Sequence, residues 1–441
     1  MENAAATAAD RASPRHPPHR ADRPAATAAT GPHDASPGKR RVMSSRLPGF
    51  YRLPVHQRQD VLAEAVGLSP ADHAALASET PLDLAQADLM IENAVGIFAL
   101  PYGVAVNFLV NGRDYLVPMV TEEPSIVAAA SFAARLVRDC GGIEAEAEPS
   151  LMTGQIHVID LADAEAAAVR VRQAAPRLVE TARALQPRMT ARGCGAREVT
   201  ATALPDGTLL VHLVADVGDA MGANAVNTLV EAMAPHIVNV TGGTANIRIV
   251  SNLADRRLAR ARTTIPQELL RTRERTGDDV ARRIARACDL ATHSPHRAAT
   301  HNKGIMNGVD SVALATGQDW RAIEAGAHAY AAHAGTYLPL ATWRYGDGYL
   351  HGRIELPLAV GTVGARISNS PRAGLSLRLL GVAGARELAA VMAAVGLAQN
   401  LAALRALADE GIQHGHMALH LRTENHPSPA PSRPEPHPAA P

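Results

Sequence analysis

The sequence predicts an α/β protein of more than one domain, in which a compact strand-and-helix unit lacks the usual dinucleotide fingerprint. Three observations predict this. The chain has 441 residues, 47% of them hydrophobic, enough to bury a large core and to divide into domains. Strand-like and helix-like apolar periods alternate between residues 151 and 252. At the strand-to-helix turn over residues 216–224 no Gly-x-Gly-x-x-Gly run occurs, which argues against an ordinary Rossmann arrangement.

Residues 1–42 are Ala, Pro, Arg, His and Thr with almost no large apolar side chain. Such a composition cannot offset the entropy of ordering the chain, so a disordered tail is expected there. From Leu53 onward Val61, Leu62, Val66 and Leu68 recur at helical spacing, and the pattern resumes after Pro70 and over residues 82–90. Two strand-like runs, 104–110 and 115–120, flank Asn111-Gly112, a dipeptide that tolerates the left-handed backbone of a tight hairpin. Glu122 and Glu123 precede a helix that continues through residues 128–137 and stops at Gly141-Gly142.

The second region reads as a strand over 155–159, a helix over 164–185 and a strand over 208–216. A helix with the stripe Val226, Leu229, Val230, Met233 and Ile237 follows, Gly242-Gly243 ends it, and residues 245–250 return as a strand. After Asn252 the chain reads as helical and charged, with arginines such as Arg256, Arg260, Arg262 and Arg282 interleaved with acids on a solvated face. Residues 300–308, Thr-His-Asn-Lys-Gly-Ile-Met-Asn-Gly, read as a polar loop whose amides must be paired if it is buried. A helix is expected from Asp319 through Ala329, strands over 340–343 and 352–357, and two Ala/Leu-rich helices over 385–407. From Asn425 the chain becomes Pro-rich.

With 43 basic against 43 acidic side chains, charge implies neither nucleic acid nor an anionic membrane as a partner. No apolar run of the ~20 residues that span a bilayer is apparent. Cys140, Cys194 and Cys288 are too widely spaced for a disulfide framework or a zinc site, which fits a soluble protein of the reducing cytoplasm.

Several residues carry chemistry. The turn at 216–224 has the layout for cradling a phosphate on free backbone NH groups, although Asp219 alone is equally well a helix cap. Lys303 is the one permanent cation of its nine-residue cluster. Glu122 and Glu123 suit a helix start electrostatically, and Asp319 follows Thr316 at capping-box spacing. His416 and His420 lie four apart, but Met417 stands where a zincin has glutamate, so a metal is not expected. These residues alone leave the reaction open.

Ser45-Arg46-Leu47-Pro48-Gly49-Phe50, Glu92-Asn93-Ala94-Val95-Gly96, Glu122-Glu123-Pro124-Ser125, residues 219–224, residues 300–308, Thr316-Gly317-Gln318-Asp319-Trp320 and Gly415-His416-Met417 occur in that order. Together they closely resemble the class II 3-hydroxy-3-methylglutaryl-coenzyme A reductases over residues 45–422. The resemblance implies interconversion of HMG-CoA with mevalonate and coenzyme A, using two NADH or NADPH, with NADH favoured. It implies catalytic roles for Glu123, Lys303, Asp319 and His416, and substrate contacts from Ser125, Arg297 and Asn307. Asp219, Met221, Gly222 and Asn224 would line the coenzyme site.

The implied architecture is a large substrate domain in two parts, 43–150 and 253–410, interrupted by a small NAD(P)-binding domain over 151–252. A truncated flap over 411–424 would hold His416, with a Pro-rich tail over 425–441. The active site is expected at the interface of a homodimer or of a larger assembly built from dimers. By the same resemblance, NAD-preferring relatives carry an acid in the helix that here spans residues 181–188, and its Gln186 and two arginines leave NADP open. Two alternatives are a non-catalytic coenzyme A- or dinucleotide-binding paralogue that lost its flap and another NAD-dependent thioester or aldehyde oxidoreductase.

Overall fold

The computed structural model describes residues 44–78 and 82–409. His416, the flap segment 411–424 and both predicted tails lie outside the described residues.

Three helices open the chain: α1 (Val55–Val66), α2 (Pro70–Ala77) and α3 (Leu84–Met90). The strands β1 (Tyr102–Val110) and β2 (Arg113–Val120) pair antiparallel through Asn111 and Gly112, whose φ values of 50° and 72° are the left-handed pair the hairpin needs. Helix α4 (Ile126–Arg138) and strand β3 (Glu144–Ala147) follow.

The next unit runs β4 (Leu151–Ile159), α5 (Ala164–Leu185), α6 (Pro187–Thr190), β5 (Gly195–Ala203), β6 (Leu209–Asp216), α7 (Ala223–Thr241), β7 (Thr244–Val250). Its sheet has the order β5-β6-β4-β7 with every neighbouring pair antiparallel. This is the split β-α-β-β-α-β arrangement and not the parallel sheet of a Rossmann unit. Strand β5 was not anticipated from the sequence. The unit buries its own apolar cluster, including Ile156, Val171, Leu213, Val230 and Ile237. Gly154 lets α7 approach β4, since a Cβ there would lie 2.4 Å from Val230 Cγ1.

The chain then forms β8 (Leu258–Pro266), α8 (Gly277–His293), α9 (Pro295–Ala315), α10 (Trp320–Ala331), β9 (Ala341–Gly346), β10 (Tyr349–Pro357), α11 (Ala365–Ser368), α12 (Pro371–Leu380) and α13 (Ala385–Ala408). Strands β3, β8, β10 and β9 form a second four-stranded antiparallel sheet.

Four expectations are corrected here. Residues 258–266 are a strand and not a helix: Ala259, Ala261 and Ile265 face the core while Arg260 and Arg262 face outward. Those arginines pair across the sheet, Arg260 with Glu148 at 2.8 Å and Glu355 at 2.5 Å, and Arg262 with Glu144 at 2.5 Å. Residues 300–308 are helical, inside α9. Two short helices over 385–407 are one helix, α13. That 24-residue helix is long and apolar enough to cross a membrane by length and composition, yet 83% of its apolar window is buried, so it serves as the core helix.

Helix α9 crosses α13 through glycines. A Cβ on Gly308 would meet Gln399 Cβ at 3.0 Å, and one on Gly396 would meet Val309 Cγ2 at 3.1 Å. Packing against this buried partner explains why a Gly- and Asn-containing stretch becomes helical against its local preference.

Candidate active site

Helix α9 begins with Ser294 accepting the Arg297 amide proton and Pro295 at its first position. Midway along it two buried side chains fasten it to the next sheet. Asn302 Nδ2 donates to Leu338 O at 2.9 Å and its Oδ1 accepts from Leu340 N at 2.9 Å, while His301 Nε2 lies 3.2 Å from Ala341 O. Burial, and then the Arg297 charge, lower the His301 pKa to about 4, so this imidazole is neutral near physiological pH. Between these anchors and Gly304 the Lys303 side chain reaches outward, 61% exposed.

Lys303 Nζ donates to Glu123 Oε2 at 2.8 Å. Glu123 belongs to the turn from β2 into α4, where its amide donates to Thr121 Oγ1 at 3.2 Å. Two residues on, Ser125 holds the N-cap position of α4 with φ of 76°, a conformation that costs a non-glycine residue ~1–3 kcal/mol. Its hydroxyl does not cap the helix; Oγ is buried and has no hydrogen-bond partner among the described residues. Asn307 lies one turn beyond Lys303 on the same helix face. Arg297, in the first turn, is partly buried, and burial lowers its pKa despite the opposing influence of Cys288.

Asp319 is the N-cap of α10, its Oδ1 accepting from Ala322 N at 3.2 Å and lying 4.0 Å from Arg321 Nη2. The capping box with Thr316 is not formed. Thr316 is instead the C-cap of α9, its hydroxyl donating back to Val312 O at 2.7 Å.

At the other candidate cluster, Gly222 (φ 104°) is the N-cap of α7 and no side chain among the described residues caps that helix. A Cβ on Gly222 would lie 2.7 Å from Val217 Cγ2, so only glycine fits, and Asn224 is exposed in the first turn. Asp219 does not cap α7; its Oδ1 accepts from Ala385 N at 2.8 Å, at the start of α13. Beneath the loop lies Arg257, 4% exposed, which donates to Met221 O at 2.9 Å, Ala220 O at 3.2 Å and Val360 O. Burial brings its pKa down to about 10, opposed by Asp216 and Asp219. Nothing local in the sequence distinguishes Arg257 from the arginines around it.

A cleft of about 820 Å³ opens elsewhere, on the outward face of the β3-β8-β10-β9 sheet beside Arg260, Arg353 and Tyr330, and none of the described candidate residues lines it.

The model of the hydroxymethylglutaryl-coenzyme A reductase family matches residues 54–421. The chain belongs to the hydroxymethylglutaryl-coenzyme A reductase family. It is 50% identical over 388 residues to the 3-hydroxy-3-methylglutaryl-coenzyme A reductase of Archaeoglobus fulgidus, covering 87% of each chain. With the probable reductase of Borreliella burgdorferi it shares 35% identity over 333 residues, 75% of this chain and 76% of that one. The class II reductase of Streptococcus pneumoniae, solved bound to NADPH in open conformations, superposes with a TM-score of 0.79 at 40% identity, covering 82% of this chain and 99% of that one.

As a hydroxymethylglutaryl-coenzyme A reductase the chain is an NAD(P)H-dependent oxidoreductase, and the mixed helix-and-strand fold expected from the sequence is the fold of this family. Its α7 N-terminus fits a dinucleotide: the first-turn NH groups lack a side-chain cap, and Gly222 keeps the turn free of a Cβ.

Proposed function

We propose that this chain interconverts HMG-CoA with mevalonate and coenzyme A at a site built from Glu123, Ser125, Arg297, Lys303, Asn307, Asp319 and His416. The observation that carries the reading is the Lys303–Glu123 contact of 2.8 Å between residues 180 apart in sequence. Structural stability does not require it, because so exposed a pair contributes only ~0–1 kcal/mol. An ammonium and a carboxyl held together at the surface of a buried helix are instead suited to charge that develops during a reaction.

NAD(P)H, when bound, supplies the hydride for each of two reductions. Lys303 stabilises the oxyanion that forms on the thioester carbonyl and again on the aldehyde carbonyl. Glu123 supplies a proton to the alkoxide of the second reduction, which requires it to take up a proton first, and Asp319 assists the pair. His416 protonates the departing coenzyme A thiolate, whose thiol resembles a cysteine of reference pKa ~8.5. Ser125, with its unpartnered hydroxyl, and Arg297 bind the free carboxylate of the hydroxymethylglutaryl group, with Asn307 beside them. Residues 219–224 and the α7 N-terminus hold the dinucleotide, within the unit spanning 151–252.

The site is completed by a second copy of the chain. In one stretch Leu89, Val95 and Phe98 are 89%, 97% and 90% exposed, beside Met90, Ile91 and Ile97, an apolar segment left uncovered among the described residues. A cytoplasmic setting suits the three free cysteines.

Glu123→Gln tests the reading. Loss of reduction of both HMG-CoA and mevaldehyde, with NADPH binding retained, is expected. Undiminished mevaldehyde reduction overturns the role of Glu123 as acid.

A further inference from the structure

Immediately before Asp319 lies Gln318, 1% exposed. Its side-chain amide grips the backbone of one residue on both sides of its Cα: Nε2 donates to Gly361 O at 2.9 Å, and Oε1 accepts from Gly361 N at 2.8 Å. The second Nε2 proton goes to Thr316 O at 2.9 Å, which ties the amide to its own turn. A primary amide opposite the N–H and C=O of one residue makes a two-bond ring that fixes both position and orientation.

Gly361 in turn abuts the coenzyme loop. A Cβ there would lie 2.4 Å from Met221 N, 2.8 Å from Ala220 C and 2.9 Å from Asp219 O. The neighbours of Gly361 close the contact: Thr362 N donates to Asp219 O at 2.8 Å, Ala220 forms a parallel bridge with Val363, and Val360 O shares the Arg257 guanidinium with Met221 O and Ala220 O. No flexible side chain intervenes between the Gln318 amide and the backbone of residues 219–221. Two candidate clusters lying about a hundred residues apart in sequence are therefore tied to the same segment, 360–363, one through its backbone and the other through the Gln318 side chain.

We infer that Gln318 is a positioning residue, which sets the turn carrying Asp319 in register with the coenzyme loop through the backbone of Gly361. The inference rests on the roles proposed above for Asp319 and for residues 219–224. Its chemical purpose is distance: hydride transfer needs the coenzyme and the proton-handling groups at near-contact separation, where small displacements are costly. A clamp made of backbone and a buried amide holds that separation without touching substrate or coenzyme.

Hydrogen–deuterium exchange on the full-length wild type with NADPH alone decides it. Slowed exchange is expected in the peptide covering 217–224 and also in the one covering 316–322. Protection at 217–224 without protection at 316–322 overturns the inference and leaves the functional reading standing. Protection at neither removes the coenzyme-loop reading itself, and the inference with it. Gln318→Met, close in shape but unable to hold the peptide, is expected to raise the NADPH KM about tenfold and lower kcat for mevaldehyde reduction while the HMG-CoA KM stays within about twofold. Gly361→Ala, which presses on Met221 with Gln318 intact, should reproduce that split. Equal changes in all three parameters, or none in a folded variant, overturn the inference, and the wild-type exchange measurement stands if neither variant folds.

Discussion

Lys303 Nζ lies 2.8 Å from Glu123 Oε2, and the two side chains arrive from elements with no shared hydrogen-bonded backbone: a helix interior and a strand-to-helix turn. Their separation is set by how α9 and β2 pack, so either side chain can be removed with the backbone of the site left in place.

Lys303→Ala should therefore lower kcat about 10²–10³-fold, the range for removing one oxyanion-stabilising donor. Stability should fall by no more than ~1 kcal/mol, because the pair is exposed. Steady-state rates alongside urea unfolding check both halves; a loss of several kcal/mol would show that the pair is structural.

The two glycines of α9 should behave oppositely. No described residue lies within 4 Å of a Cβ on Gly304, so Gly304→Ala should stabilise the fold by ~0.5–1 kcal/mol through helix propensity. Gly308→Val adds volume at 3.0 Å from Gln399 Cβ and 3.2 Å from Val395 Cγ1 and should cost ~1–3 kcal/mol. Denaturant midpoints of the two variants give the comparison directly.

A carboxyl outside the proposed chemistry sets part of the pH dependence. Asp310, one turn beyond Met306 on α9, has a buried Oδ1, and burial followed by the Glu324 carboxylate pushes its pKa up to about 9. Glu324 is itself held low by His328, 2.6 Å away, whose other ring nitrogen lies 2.6 Å from Tyr337 Oη. The folded-state pKa of Asp310 is above its ordinary value of 3.8, so its contribution is fully present below pH ~4 and is lost as pH rises towards about 9. Asp310→Asn should flatten that decline and be relatively more stable at pH 8 than at pH 5. Urea unfolding across this range checks it; parallel pH profiles for the two proteins would count against a proton on Asp310.

Local chemistry was legible in the sequence, and long-range pairing was not. The Asn111-Gly112 hairpin and the helix Ala164–Leu185, capped by Asp163 accepting from Ala166 N, are decided by neighbouring residues and were read correctly. Strand β8 was misread because Ala and Arg are good helix formers, although Ala259, Ala261 and Ile265 already alternate with Arg260 and Thr264; its partners Glu144, Glu148 and Glu355 are distant in sequence. Residues 300–308 were misread because glycines and asparagines favour loops, whereas α13 supplies the packing that makes them helical. Of the proposed site, motif resemblance pointed to Glu123 and Asp319 as partners for Lys303, and the 2.8 Å contact is with Glu123. The Gln318–Gly361 clamp and buried Arg257 left no local signal, because each acts on backbone atoms.

The glycine crossing of α9 and α13 also constrains how this site can change over generations. A helix seated on side chains can shift by fractions of an ångström as those side chains are exchanged, and a lysine on it would follow. At Gly308 and Gly396 there is no side chain to trim, so every coding change adds bulk and pushes the helices apart. Lys303 therefore rides on a bearing surface that mutation can only wedge open.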